Sequence, residues 1–146
     1  MATSISDRLR AGVTTSSAEE TRALASEWAA TLPPDVTVAL HGNMGTGKTT
    51  WVQGMATGLG ITEPVTSPTY TLYALHRGPE RMLAHLDAYR LGSPEEAEDL
   101  LLEEFLQSPW CLAVEWPERL EGWLTDDALH VDLEIGLGNI HHIRLR

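Results

Sequence analysis

The stretch Gly42-Asn43-Met44-Gly45-Thr46-Gly47-Lys48-Thr49 decides how the rest of this chain is read. It satisfies the pattern G-x-x-x-x-G-K-[ST] at every specified position. Glycines let a chain wrap an anion with its amides turned inward, and a helix that follows presents unsatisfied N–H groups and its positive dipole end to the same anion. In such a loop Lys48 reaches the β and γ phosphates of a nucleoside triphosphate. The Thr49 hydroxyl is the expected magnesium ligand, because a hard cation takes oxygen donors. Together with Thr50, the whole run Gly42, Asn43, Met44, Gly45, Thr46, Gly47, Lys48, Thr49 forms the expected nucleotide contact.

Outward from the loop, Val36-Thr37-Val38-Ala39-Leu40 reads as a strand entering Gly42, and a helix is predicted from Thr49 to about Leu59. Gly58 and Gly60 suit a left-handed helix end there. Strand, glycine loop, helix is the order the phosphate site requires, whereas a chance glycine-rich turn carries no such flanks. Lysine usage points the same way. The chain has ten basic residues of Lys and Arg type, and Lys48 is its single lysine. Arginine everywhere else, with lysine here, suits a site where a compact ammonium fits and a planar guanidinium does not.

A phosphate loop needs an acid on a neighbouring strand, to hold magnesium or to polarise an attacking water. Cys111-Leu112-Ala113-Val114-Glu115 supplies an apolar strand ending in a carboxylate, at the sheet edge where the loop also lies. Trp116 beside it packs either on the nucleotide or on the core. In His85-Leu86-Asp87-Ala88-Tyr89-Arg90, alternation sends His85, Asp87 and Tyr89 to one face. Asp87 there is open to two readings, orienting water or pairing with Arg90, and on residue pattern alone the ion pair is the commoner. His130, His141 and His142 lack a carboxylate or cysteine at ligand spacing and read as surface residues.

At 146 residues and 42% hydrophobic, the chain has the size of one domain, 1–146, with a poorly ordered start over residues 1–16 and one short edge strand. Ser17-Ala18-Glu19-Glu20 fits a capping box for an amphipathic helix carrying Leu24, Trp28 and Leu32, which Pro33-Pro34 stops. Segments 70–76 and 82–87 read as a hairpin or two neighbouring strands across the Arg77-Gly78-Pro79-Glu80 turn. Ser93-Pro94-Glu95-Glu96 opens a helix predicted to reach about Gln107. The tail, 128–135 and 140–145, reads as an antiparallel hairpin around Gly136-Leu137-Gly138-Asn139. The expected fold is therefore α/β: a P-loop NTPase-like mixed β-sheet flanked by helices, with a C-terminal antiparallel hairpin.

The formal charge of -11 argues against a chain that grips nucleic acid on its own, DNA included, since such proteins present a basic surface. No apolar run reaches the roughly 20 residues of a membrane span. The lone Cys111 cannot form an internal disulfide, and the N-terminal residues lack a secretory core, so a cytoplasmic location is expected.

Four motifs in order, Gly42 to Thr49, Ser67-Pro68-Thr69-Tyr70, His85 to Arg90 and Val114-Glu115-Trp116-Pro117, give the chain from about Val13 to Arg144 a close resemblance to the TsaE (YjeE) family. That family is the bacterial ATPase required for threonylcarbamoyl modification of adenosine 37 in tRNA. The resemblance implies a switch formed by Ser67, Pro68, Thr69 and Tyr70 near the γ-phosphate. It raises Asp87 to a catalytic acid alongside Lys48 and Glu115. It also makes Thr49 and Glu115 the magnesium partners and sets Trp116 beside the nucleotide. It further implies ATP and Mg2+ as ligands, and TsaD and TsaB as partners whose complex is reset by ATP hydrolysis, with tRNA met only through that complex.

Two departures from the family pattern stand out. Asn43, Met44 and Thr46 replace the usual Asp, Leu and Ala, at variable positions. Gly138 is followed by Asn139 where the family often has arginine, with Arg144 further on. A guanine-specific GTPase is excluded in its usual form, because an Asn-Lys-x-Asp motif needs a second lysine. Two rivals remain, a small P-loop kinase and an assembly subunit in which turnover is incidental.

Overall fold

The computed structural model describes residues 4–68 and 71–146. Seven strands form one sheet: β1 (Val13–Thr15), β2 (Val36–His41), β3 (Tyr73–Arg77), β4 (Met82–Asp87), β5 (Trp110–Glu115), β6 (Leu129–Ile135) and β7 (His141–Leu145). Their order is β1-β7-β6-β2-β5-β4-β3. The four middle strands, β6, β2, β5 and β4, run parallel, and antiparallel partners close both sides. Fully buried strands such as Val38-Ala39-Leu40 and Ala113-Val114 are what a parallel sheet covered on both faces requires. The expected mixed sheet and tail hairpin are both present.

Helices α1 (Ile5–Ala11), α2 (Ala18–Ala29) and α3 (Lys48–Gly58) cover one face, and α4 (Pro94–Asp99) with short 3-10 turns covers the other. The first core joins Leu9, Leu24, Trp28, Trp51 and Met55 to Val38, Leu40, Leu83 and Ala113. The second joins Leu86, Leu112 and Val114 to Leu91, Leu102 and Leu120. α2 and α3 cross at close range. A Cβ built on Gly54 would overlap the Arg22 carbonyl, and one on Gly58 would overlap that of Ser26. Gly58 thus serves helix packing, while Gly60, at φ +77, takes the left-handed turn that the sequence suggested for both.

Several expectations are corrected. Within the start expected to be poorly ordered, residues 5–11 form α1, while residues 1–3 lie outside the described residues. Ser4 caps it by accepting from the Asp7 N–H at 3.1 Å, and Ile5 and Leu9 are buried. The expected edge strand follows as β1. Ser17 does accept from the Glu20 N–H, but Glu20 reaches back to the amide and hydroxyl of Ser16 and not to its capping partner. The helix expected to reach Gln107 ends at Asp99, because Leu101 adopts φ +55, and the reversal there carries Leu102 into the second core. Ser93 makes no side-chain cap. Glu96 instead accepts from the Gly92 N–H at 2.9 Å. Among the described residues no helix is long and apolar enough to cross a membrane.

Candidate nucleotide site

β2 delivers the chain to the glycine loop at the C-terminal edge of the parallel strands, and α3 begins at Lys48. The loop builds itself from short bonds. The Thr46 hydroxyl donates to the Asn43 carbonyl at 2.8 Å, and Lys48 Nζ donates to the Gly42 carbonyl at 2.7 Å. Gly42 lies so close to its surroundings that a Cβ would fall 2.5 Å from both the Leu133 carbonyl and Thr46 Oγ1. Gly47 caps α3 in the left-handed region, φ +99, which turns the chain into the helix without a side chain in the way.

Register across three strands assembles the acids. Glu115 of β5 pairs with Leu40 of β2 on one side and with Asp87 of β4 on the other. Both carboxyls are nearly buried, at 4% and 5% exposure. The Thr49 hydroxyl stands 3.4 Å from Glu115 Oε2, so the first turn of α3 and the end of β5 meet at one point. The Tyr89 amide donates to Asp87 Oδ1 at 3.0 Å, which sets the second carboxylate as the chain leaves β4. Lys48 lies with its ammonium 3.5 Å from the centroid of the Trp116 ring. Burial pulls its pKa down, opposed by the charges of Glu115, Glu118 and Asp87. Trp116 turns away from the strand at φ +58 and packs on Tyr89, ring centroids 5.1 Å apart.

These groups surround an open cavity of about 410 Å³. Met44, Gly45, Gly47, Lys48, Thr49 and Thr50 form its loop side, and Asp87, Glu115 and Trp116 face them. Asn43 and Thr46 do not line it; they shape the loop from within, and Thr46 is buried. Ser67 reaches the cavity wall and Pro68 is buried beside it. Thr69 and Tyr70, the other two expected switch residues, lie outside the described residues.

Histidines were underestimated. His141, expected on the surface, lines the cavity with its Nδ1 3.1 Å from the Thr46 carbonyl, buttressing the loop from β7. His130 is half-buried, with Nδ1 2.8 Å from His41 Nε2. Both rings in that pair have their pKa lowered, first by burial. Only His142 is exposed as expected. His85 is wholly buried, 2.5 Å from Glu115 Oε2. No local pattern marks these contacts, since each joins residues distant in sequence.

A parallel-centred sheet, a glycine loop opening a helix and a buried acid on the adjacent strand define a P-loop NTPase-like protein. The model of the family described as "Threonylcarbamoyl adenosine biosynthesis protein TsaE" matches residues 15–140, and the chain belongs to that family. It is 39% identical over 113 residues to the tRNA threonylcarbamoyladenosine biosynthesis protein TsaE of Bacillus subtilis, covering 77% of this chain and 70% of that one. The Rickettsia bellii protein of the same name is 37% identical over 82% of this chain and 83% of its own. The crystal structure of Bacillus subtilis YdiB superposes with a TM-score of 0.73 at 34% identity, covering 90% of this chain and 81% of that one.

Proposed function

We propose that this chain is a magnesium-dependent ATPase that serves threonylcarbamoyl modification of adenosine 37 in tRNA, acting on a TsaD–TsaB complex that its ATP hydrolysis resets. The observation that carries the reading is the meeting of Thr49 and Glu115, 3.4 Å apart at the cavity wall, with Asp87 in register beside Glu115. A hydroxyl and a carboxylate are oxygen donors of the kind a hard cation selects, and the second carboxylate, Asp87, stands beside them for the attacking water. The glycine loop fits phosphates as well. Nothing stands within 4 Å of the Cβ position at Gly45, while a Cβ at Gly42 would meet Thr46 Oγ1 and the Leu133 carbonyl of β6, so at both positions a glycine backbone suits a cradle for phosphates.

Each residue then has a defined task. Amides from Gly42 to Thr50 hold the phosphates, assisted by the N-terminus of α3. Lys48, now bound to the Gly42 carbonyl, supplies the mobile positive charge for the β and γ oxygens. Thr49 and Glu115 would hold magnesium, which when bound neutralises charge on the phosphate oxygens. Asp87 orients the attacking water and accepts its proton, so that ATP and water give ADP and phosphate. Ser67, on the cavity wall, would belong to the switch. With a net charge of -11 the chain meets tRNA through its partners and not through a surface of its own.

The test is steady-state ATP hydrolysis by the protein alone and with purified TsaD–TsaB, repeated with Glu115→Ala and Asp87→Ala. Stimulation by the partner complex, lost in both variants, is the expected result. Phosphate transfer to a small molecule in place of hydrolysis would establish the kinase reading. Full support of tRNA modification by a non-hydrolysing Glu115→Ala protein would establish the assembly reading.

A further inference from the structure

His85 occupies the middle of β4 with no exposed surface, and its Nε2 lies 2.5 Å from Glu115 Oε2. Its Nδ1 is equally buried and has no hydrogen-bond partner among the described residues. A proton on Nδ1 would be a buried donor without an acceptor, so the tautomer that suits this position carries its hydrogen on Nε2 and donates it to the carboxylate.

Strand register explains how the two meet. In the parallel β4–β5 pair His85 stands opposite Ala113 and Asp87 opposite Glu115, so all four side chains share one face. Glu115 is the diagonal neighbour of His85, two residues further along. Because Ala113 fills the directly opposed position with a single methyl, the imidazole has room to reach along β5 to the carboxylate. The same Oε2 is the oxygen that faces the Thr49 hydroxyl.

We propose that His85 is a positioning residue for Glu115: its Nε2–H fixes the rotamer of the carboxylate, so that the oxygens meet Thr49 and the cavity in the arrangement magnesium needs. The inference rests on the reading of Glu115 as a magnesium partner. A ring that merely filled space under the sheet would need no nitrogen at this point, and a carboxylate held by Thr49 alone would be free to turn about its side-chain torsions.

The experiment measures Mn2+ binding to the nucleotide-loaded protein by electron paramagnetic resonance, with nucleotide affinity in EDTA and thermal melting measured alongside. His85→Phe keeps a ring and removes the donor. It is expected to weaken Mn2+ binding by about tenfold or more, in the range that outer partners of metal ligands command, while nucleotide affinity in EDTA stays as in the parent. His85→Gln, which returns an N–H at similar reach, is expected to recover most of the loss. If both variants melt lower yet bind Mn2+ like the parent, His85 is structural and the proposal is overturned. Glu115→Gln separates the two levels. If it leaves Mn2+ binding unchanged, the reading of Glu115 itself fails; if it weakens binding while His85→Phe does not, only the role of His85 fails. Nitrogen-15 NMR of the unmodified protein gives a test that does not depend on a folded variant: His85 should be the Nε2–H tautomer with a downfield proton, and an Nδ1–H tautomer would overturn the proposal.

Discussion

Lys48 and Trp116 are in direct contact: the ammonium lies 3.5 Å from the centre of the indole ring while it donates to the Gly42 carbonyl. A cation on an aromatic face gains about 0.5–2 kcal/mol, less than a multiply charged phosphate offers the same ammonium. Nucleotide should therefore draw Lys48 off the ring. The expected outcome is a change in tryptophan emission on adding ATP or ADP, abolished in Trp116→Phe although four other tryptophans remain in the chain. An unchanged signal in that variant would show that another indole reports binding.

Gly42→Ala tests the close approach in the loop. Its Cβ would sit 2.5 Å from a backbone oxygen of Leu133, which cannot rotate away as a side chain can. We expect a stability loss of about 1–3 kcal/mol in urea titration, the usual range for overpacking, together with loss of nucleotide binding. Gly45→Ala should cost much less through contact, because no atom lies within 4 Å of its Cβ position, though its φ of +80 still disfavours a side chain.

A second pair of glycines sets the distance between α2 and α3. Gly54→Ala and Gly58→Ala would each press a methyl into backbone, at Arg22 and Ser26 respectively. Each should lower the melting temperature, at a cost of about 1–3 kcal/mol. Gly58 lies at the far end of the helix from Lys48, so in Gly58→Ala the nucleotide affinity of the protein that remains folded should change little.

The His41–His130 contact predicts a pH dependence. Both pKa values are lowered in the fold, first by burial and then by the Arg146 charge, with Asp132 acting in the opposite direction on each. Two protonated rings would also point N–H groups at each other across 2.8 Å. A histidine whose folded pKa lies below its unfolded value adds stability that is complete above the unfolded value, about 6.5, and is lost as pH falls towards the folded value. Urea midpoints should therefore drop between pH 7.5 and pH 5.5, and His130→Phe should flatten that drop. Equal pH slopes in parent and variant would remove the pair as its source.

The carboxyl of Asp132 is held below the usual carboxylate range, chiefly by its hydrogen bond from Arg146, despite the opposing effect of burial. Its contribution is present above the unfolded pKa and disappears as pH falls through the folded one, below the histidine window. Since the Arg146 side chain is 54% exposed, Asp132→Asn should cost only about 0–1 kcal/mol at neutral pH, as surface ion pairs do.

Much of the candidate site was legible in the chain because its parts are local. Gly42 to Thr49 carries its own pattern, and an apolar strand ending in Glu115 can be recognised without knowing its neighbours. The ordered motifs through Val114-Glu115-Trp116-Pro117 were enough to recognise the family. Contacts between strands were not legible. In the sequence His141 looks like a surface residue, because nothing near it asks for a partner, yet strand pairing carries it to the Thr46 carbonyl. Asp87 was ambiguous for the same reason, since its place beside Glu115 exists only in the β4–β5 register. Leu101 defeated the long helix prediction because apolar spacing continued past the point where burying Leu102 demands a reversal.

The sequence by itself determined that a strand, a glycine loop and a helix would follow one another at the site, that the fold would be α/β, and to which family the chain belongs. Those properties depend on backbone freedom and on periodicity, which act over a few residues. Only the tertiary structure decided which side chains face the loop: Glu115 against Thr49, Lys48 on Trp116, His85 beneath Glu115 and His141 behind Thr46. Strand order and register set those meetings, and both result from packing two hydrophobic cores on opposite faces of one sheet, a balance over the whole chain that no local pattern encodes.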